Sequence, residues 1–289
     1  MSDWIKAGKI CREAREFAKE ICKENKTHLE VVEKIEEKII KLGGKPAFPV
    51  DLSVNHIAAH QSPGVDDEKV LNKEDLIKID IGVHVNGCIA DTAVTVEIGS
   101  NKYKNLIKAS EEALKEAVKL AIPGIKLREV GFAIQEKINE FGFLPITNLS
   151  GHGLDLYEVH TKPTVPNYDN GDENKLIEGM YIAIEPFATT GVGQVKDGKP
   201  AGIYRLANKK PVRIESVRRL LEYIEKEFKT LPFSPRWIKH LSNYQFALRI
   251  LEQQEIIKQY TELPEKGNGM VSQAEHTVFV EENECRVLT

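Results

Sequence analysis

The stretch SGHGLDLYEVH, from Ser150 to His160, sets one histidine between two glycines and a second at the end of a short, mostly apolar run. The chain has only eight histidines, so two on one such piece of backbone invite a chemical reading. The carboxylates that could join them are Asp80 and Asp91 in LIKIDIGVHVNGCIADTAVTVEI, Glu185 at the end of MYIAIE, and Glu275 just before TVFV. With His152 they form a set of Asp, Asp, His, Glu and Glu at strand ends and loops. Carboxylate oxygens with a single imidazole suit borderline or hard divalent ions, and two such ions about 3.5 to 4 Å apart can deprotonate a bridging water that attacks a carbonyl. Bridging carboxylates neutralise both ions at once, which accounts for acidic ligands outnumbering histidine. Taken alone, the two aspartates fit the polar side of a half-solvated antiparallel sheet equally well.

The elements that must position these residues are legible in part. Two alternating runs joined at Asn86-Gly87 predict a hairpin with a type I′ turn. Its register sets Ile77, Ile79, Ile81 and Val83 against Val96, Val94, Thr92 and Ala90 on one face. Asp80, across from Ala93, and Asp91, across from Gly82, are then diagonal neighbours on the other face, about 7 to 8 Å apart at the backbone. His152 is expected in a glycine-flanked loop, the glycines letting the chain turn sharply. Helical spacing runs from Trp4 to Lys23, and Thr27 with Glu30 predicts a capping box opening a second helix that stops at Gly43-Gly44. Helices from about Lys102 to Ala121 and from Leu127 to Phe141 repeat that arrangement. Residues 27–46 match residues 126–145 at about eight of twenty positions, so two related halves are expected. Glycines and lysines from Gly191 to Lys210 lead into amphipathic helical runs over Ser216 to Phe228 and Pro235 to Lys258, so residues 188–273 read as an inserted helical subdomain. Its Arg213, Arg218 and Arg219 alternate with glutamates, the pattern of a solvated helix face.

Composition narrows the class. With 289 residues, 41% of them hydrophobic, the chain can bury a large core, and a net charge of −4 gives no basic field to draw it onto nucleic acid. Neither a signal peptide nor an apolar run of the roughly 20 residues a membrane helix needs is apparent. A cytoplasmic chain, a monomer without direct nucleic-acid binding, is the expectation. Cys11, Cys22, Cys88 and Cys285 are scattered without zinc-type spacing and are expected to be small, mostly buried thiols.

The hairpin IDIGVHVNGCIADTAVTV, the loop SGHG, the strand IAIEPFATTG and the segment QAEHTVFV resemble those of methionine aminopeptidases of type 2, in peptidase family M24. The resemblance extends over essentially the whole chain, includes the helical insertion between Glu185 and Glu275, and points to an archaeal form lacking the N-terminal extension of the eukaryotic members. It implies an α/β (α+β) pita-bread fold of two pseudo-symmetric halves around an antiparallel sheet. Residues 1–187 and 274–289 would form that catalytic domain, and 188–273 a winged-helix-like subdomain.

By position, the resemblance implies two divalent metal ions (Co, Mn, Fe or Zn). Asp80 would chelate one, Asp91 and Glu275 would bridge both, and His152 and Glu185 would complete the coordination of the second ion. His160 would stabilise the tetrahedral intermediate, and His60, in HIAAHQSP, would stand near the substrate's terminal amine and leaving group. Phe48, Val159, Ile203 and Tyr260 would wall the methionine pocket, although most apolar residues are simply core. The implied reaction removes the initiator methionine from nascent polypeptides, near the ribosome. A metal-bridging hydroxide would attack the first peptide carbonyl, with Glu185 carrying the proton to the leaving amine. His28, His56, His84 and His240 have no counterpart, though His84 shares the aspartate face of the hairpin. The alternatives are an Xaa-Pro-directed peptidase of the same fold, which usually carries a further N-terminal domain, and a catalytically inert binding homologue, which should have lost ligands; none is missing here.

Overall fold

In a computed structural model describing residues 1–289, the chain opens with helix α1 (Ser2–Ile21), whose buried stripe Trp4, Ala7, Cys11, Ala14 and Ala18 recurs at helical spacing. Helix α2 (His28–Lys41) starts where the Thr27 hydroxyl accepts the Glu30 amide at 3.0 Å. Only this half of the expected capping box forms, because the Glu30 carboxylate pairs with Lys26 and Lys34. Strands β1 (Lys45–Pro46), β2 (Asp51–Val54) and β3 (Ile57–Ala59) lead to the hairpin β4 (Leu76–Val85) and β5 (Cys88–Glu97). Asn86 and Gly87 both have positive φ, and Val85 pairs with Cys88, Asp80 with Ala93 and Gly82 with Asp91, the predicted register. The face carrying Ile77, Ile79, Ile81 and Val83 packs with α1 and α2 in one core. Burying each such side chain stabilises the fold by roughly 1.5–3 kcal/mol. A one-residue slip would turn those four outward and drive Asp80 and Asp91 into the core, so the apolar face also fixes where the aspartates point.

The same order of elements follows again. Helices α3 (Lys104–Leu120) and α4 (Leu127–Glu140) precede β6 (Leu144–Pro145); α2 and α4 each span 14 residues, and Gly43 and Gly142 beyond them both turn with positive φ. Strands β7 (Ser150–Asp155), β8 (Glu158–Pro166), β9 (Tyr181–Ile184) and β10 (Phe187–Thr189) come next. The α3–α4 pair buries Leu106, Ala113, Val130, Ile134 and Ile138 against Ile182, Ile184 and Val278 in a second core. Helices thus cover one side of each sheet, and polar side chains collect on the other.

The segment over 188–273 departs from its predicted form. After β11 (Pro200–Leu206) and α5 (Glu215–Glu227), the helix expected over 235–258 is divided into α6 (Pro235–Ile238), α7 (Tyr244–Gln253) and strand β12 (Ile257–Thr261). Asn243, at φ 60°, interrupts the helical run, and β12 pairs with β11 through Arg205–Lys258 and Leu206–Ile257. The segment has a core of its own around Leu220, Ile224, Phe233, Leu248 and Ile257. It is pinned to the body by Arg236, whose guanidinium donates two 2.8 Å hydrogen bonds to the Glu36 carboxylate of α2 and one of 3.1 Å to the Pro63 carbonyl. As expected for a solvated face, Arg218 pairs with Glu222 and Arg219 with Glu215 along α5.

Strands β13 (Leu263–Pro264), β14 (Val271–Gln273), β15 (His276–Val280) and β16 (Cys285–Val287) return the chain to the body. The larger sheet has the order β16-β15-β9-β7-β8, while β14 joins β10 and β6. Glu265 ties the two ends of that segment together: its carboxylate accepts the amides of Val192, Gly193, Gly267 and Gly269. No helix is long and apolar enough to cross a membrane. All four cysteines are free.

Candidate metal centre

Asp80, Asp91, His152, Glu185 and Glu275 line one cavity of about 200 Å³, together with His60, His160, Phe48, Val159, Ile203 and Tyr260. Asp80 and Asp91 come from the hairpin, Glu185 from the link between β9 and β10, and Glu275 from the link between β14 and β15. His152 lies within β7 and not in a loop, paired with Thr164 on one side and Ala183 on the other. Its glycines serve a different purpose from the one predicted. Neither has positive φ, but a Cβ on Gly151 would fall well inside contact distance of the Ala183 carbonyl oxygen, and one on Gly153 would meet the Lys162 carbonyl. They let neighbouring backbone close on β7 from both sides and hold His152 in place. Gly82 does the same on the hairpin, where a Cβ would collide with the Phe48 ring.

Ligating atoms of Asp91, His152 and Glu275 lie within 4.8 Å of one another, and so do those of Asp80, Glu185 and Glu275. Glu275 belongs to both groups. His152 Nε2 stands 3.6 Å from Glu185 and 3.8 Å from Asp91, so Glu185 lies between the two groups. The remaining contacts orient these side chains. The Asp91 amide donates to the Thr277 hydroxyl at 2.7 Å, the Thr92 hydroxyl donates to the Glu275 carbonyl at 2.8 Å, and Gln273 Nε2 donates to Asp80 at 3.0 Å and Glu185 at 3.4 Å.

Electrostatics point to a positively charged guest. Asp80 Oδ1, Asp91 Oδ1 and both oxygens of Glu275 are buried without a hydrogen-bond donor, a loss a protein rarely leaves uncompensated. Burial, then the neighbouring carboxylates, push Asp91, Glu185 and Glu275 well above the usual carboxylate range. Burial raises Asp80 to about 6 even though Gln273 and Asp91 hydrogen-bond it. Burial and then His160 lower His152 to about 3, so its imidazole is neutral and free to ligate. No lysine or arginine lines the cavity, leaving the negative charge without an internal partner. Four carboxylates and a neutral imidazole with unpartnered oxygens are a donor set that fits hard or borderline divalent cations.

The His160 ring meets the His152 ring edge-on at 4.5 Å, and His160 is open on its other side. Burial and then Arg205 hold it below the ordinary histidine value. His60 adopts φ 61°, a left-handed conformation uncommon outside glycine, and its amide donates to Asp51 at 2.9 Å. Its Nδ1 lies 3.3 Å from the Thr261 carbonyl, and its ring meets Tyr260 edge-on at 5.2 Å. His84, by contrast, stays out of the cavity. It accepts the Gly87 amide at 3.3 Å and lies against Tyr157 at the hairpin's far end.

Two residues of the site carried no readable signal. Asp51, the cross-strand partner of Asp80, opens the short run DLSV and places a further buried carboxylate in the cavity. Gln273, inside QAEHTVFV, links Asp80 to Glu185. Each depends on a pairing between distant strands, which local alternation does not reveal.

Comparison with known proteins places this geometry in context. The model of metallopeptidase family M24 matches residues 4–219. The chain is 47% identical to a methionine aminopeptidase of Pyrococcus abyssi, over 99% of this chain and 98% of that one. Among solved structures, a methionine aminopeptidase of Thermotoga maritima superposes with a TM-score of 0.72 at 26% identity, over 99% of this chain and 94% of the other. A prolidase of Pyrococcus furiosus superposes with a TM-score of 0.63 at 25% identity, over all of this chain but only 63% of its own.

Proposed function

The chain belongs to metallopeptidase family M24, and from that premise we infer that it is a methionine aminopeptidase of the archaeal kind, removing the initiator methionine from polypeptide chains. It has the pita-bread fold shared by methionine aminopeptidases and prolidases. We read the fold as two related halves, each opening with a helix pair, with residues 188–273 inserted as a separate subdomain. The family implies a divalent metal. The finer assignment is ours: Asp80, Asp91, His152, Glu185 and Glu275 hold two ions, with Glu275 common to both because it belongs to both groups of ligating atoms. Co, Mn, Fe and Zn all suit this donor set.

When bound, divalent ions here supply Lewis acidity and lower the pKa of water at the site. The chain's own residues do the rest. The apolar wall of Phe48, Val159, Ile203 and Tyr260 takes the methionine side chain and excludes water from it. Neutral His160, open to the cavity, donates an N–H to the carbonyl oxygen as negative charge grows there. Glu185, partly exposed in the cavity, takes a proton from the attacking water on its carboxylate and passes it to the leaving amine. His60, with Nδ1 donating to Thr261, turns Nε2 toward the cavity as an acceptor beside the substrate's amine.

One observation carries the reading: the cavity that gathers five side chains able to ligate a cation is also lined by apolar groups and by two neutral histidines. The test is to strip the protein with chelator, restore Mn, Co, Fe or Zn in turn, and assay Met-Ala-Ser beside an Xaa-Pro dipeptide. Metal-dependent release of methionine is expected. Cleavage of the proline substrate alone would refute it. Replacing His160 with Ala should lower kcat by about 100- to 1000-fold with metal affinity unchanged.

A further inference from the structure

The cavity is acidic within, and one cation stands at its mouth. Arg205 lies on β11 two residues beyond Ile203, while Tyr204 between them turns its ring to Phe233 on the other side. The side chains of Ile203 and Arg205 therefore leave the strand on one face, about 6–7 Å apart along it. Ile203 lines the cavity; Arg205 stands outside the lining, its guanidinium over the ring of Tyr260 at 5.9 Å from the centroid. Both Arg205 and His160 are exposed, and the arginine's charge is felt at the imidazole, so the pair marks the opening. Arg205 makes no ion pair, and its one hydrogen bond, 3.4 Å to the Leu206 carbonyl, stays on its own strand. Lys199 of the same segment, by contrast, pairs with Glu262 at 3.5 Å. Glu158 also acts on the Tyr260 phenol but does not pair with Arg205.

Spacing gives this residue a task, and the argument rests on the aminopeptidase reading above. There the methionine side chain enters the pocket walled by Ile203 and Tyr260, and His160 stands at the scissile carbonyl. The rest of the polypeptide leaves through the opening past His160. An extended chain advances about 3.3 Å per residue and turns alternate side chains to opposite faces. The first and third residues of the substrate thus point the same way, about 6–7 Å apart, which is the spacing of Ile203 and Arg205. A guanidinium resting on an aromatic ring has fewer rotamers to lose, and its planar fork offers a carboxylate two parallel N–H donors.

We propose that Arg205, held over Tyr260 at the mouth of the cavity, forms a subsite for an acidic side chain at the third residue of the substrate. A glutamate there accepts the free N–H donors of the guanidinium, and a lysine meets a like charge. The site then grades polypeptides by charge beyond the methionine it removes. The contact is partly exposed, so its contribution is modest and sensitive to salt.

The experiment gives manganese-loaded protein three peptides, Met-Ala-Glu-Ser, Met-Ala-Gln-Ser and Met-Ala-Lys-Ser, each amidated at its C-terminus, at neutral pH and low salt. In the wild type kcat/KM should be about three- to tenfold higher for the glutamate peptide than for the lysine peptide, with glutamine between them. Salt at about 0.5 M should bring that ratio toward one. Arg205→Lys keeps the charge and should keep the order. Arg205→Gln should lower the ratio by about threefold or more, and Arg205→Glu should invert it. A general loss of packing slows all three peptides alike and leaves the ratio where it was, so it cannot imitate this pattern. A ratio unchanged in R205Q and R205E would overturn the proposal, as would a wild type that takes lysine as well as glutamate. If no peptide is cleaved, the aminopeptidase reading falls, and calorimetric Kd values of the same intact peptides read the subsite by itself. A glutamate preference that R205E inverts then supports it, and equal affinities or no binding overturn it.

Discussion

Replacing Asp80 with Asn in the metal-free protein should stabilise it at neutral pH, an unusual outcome for a residue at the heart of the site. The folded protein raises Asp80 from its ordinary 3.8 to about 6, chiefly by burial. Between those values the folded state binds more protons than the unfolded chain, so stability is present below about pH 4 and is lost as pH rises through about 6. That gap corresponds to about 3 kcal/mol lost by pH 7.5 from Asp80 alone. Relief of Asp91, Glu185 and Glu275, all raised in part by the Asp80 charge, adds in the same direction. Asn keeps the shape and still offers Gln273 an acceptor. At about 2–4 °C per kcal/mol, chelated D80N should melt roughly 6–12 °C above chelated wild type at pH 7.5, with little difference at pH 4. Adding manganese should reverse the order, because only the wild type gains the stability of a full ligand set. Scanning calorimetry of both proteins at both pH values, with and without metal, reads all of this. A chelated D80N less stable than wild type at pH 7.5, or a difference independent of pH, would refute the reasoning that burial holds the carboxylates up.

Two further perturbations test the supports of the site. Glu36→Gln leaves the Arg236 guanidinium buried without its charge partner and should lower stability by about 3–5 kcal/mol in urea melts. Because the segment over 188–273 supplies Ile203 and Tyr260 to the cavity lining, the same variant should raise KM more than it lowers kcat. Gly151→Ala drives a methyl into the Ala183 carbonyl, so β7 and β9 must part, at a cost of about 1–3 kcal/mol or more. Its metal affinity should fall too, since His152 rides on that strand; unchanged affinity would show that the close approach does not position His152.

Much of this was legible in the sequence wherever the signal was local. The Asn86-Gly87 turn and the run of alternating isoleucines set the hairpin register residue by residue, and with it the convergence of Asp80 and Asp91. The helices from Ser2 to Ile21 and from Leu127 to Glu140 followed from apolar periodicity and from the glycine beyond the second. What failed was long-range. His152 was legible as a residue but not as part of a strand, because glycines that look like loop formers were needed for close approach by β8 and β9. The run from Pro235 to Lys258 kept helical spacing across the turn at Asn243, and only pairing with β11 makes its last residues a strand. Asp51 and Gln273 reach the cavity through strands whose neighbours lie far away in the chain.

The central claim is that one carboxylate, Glu275, joins two metal positions. Metal titration of chelated protein, by calorimetry with elemental analysis of the saturated sample, tests it directly. Wild type should bind two manganese ions per chain, and Glu275→Gln should weaken both steps by about tenfold or more, since both groups lose a ligand. If the variant binds two ions as tightly as wild type, or loses one step while the other is untouched, Glu275 does not join the two positions and the account of the site is wrong.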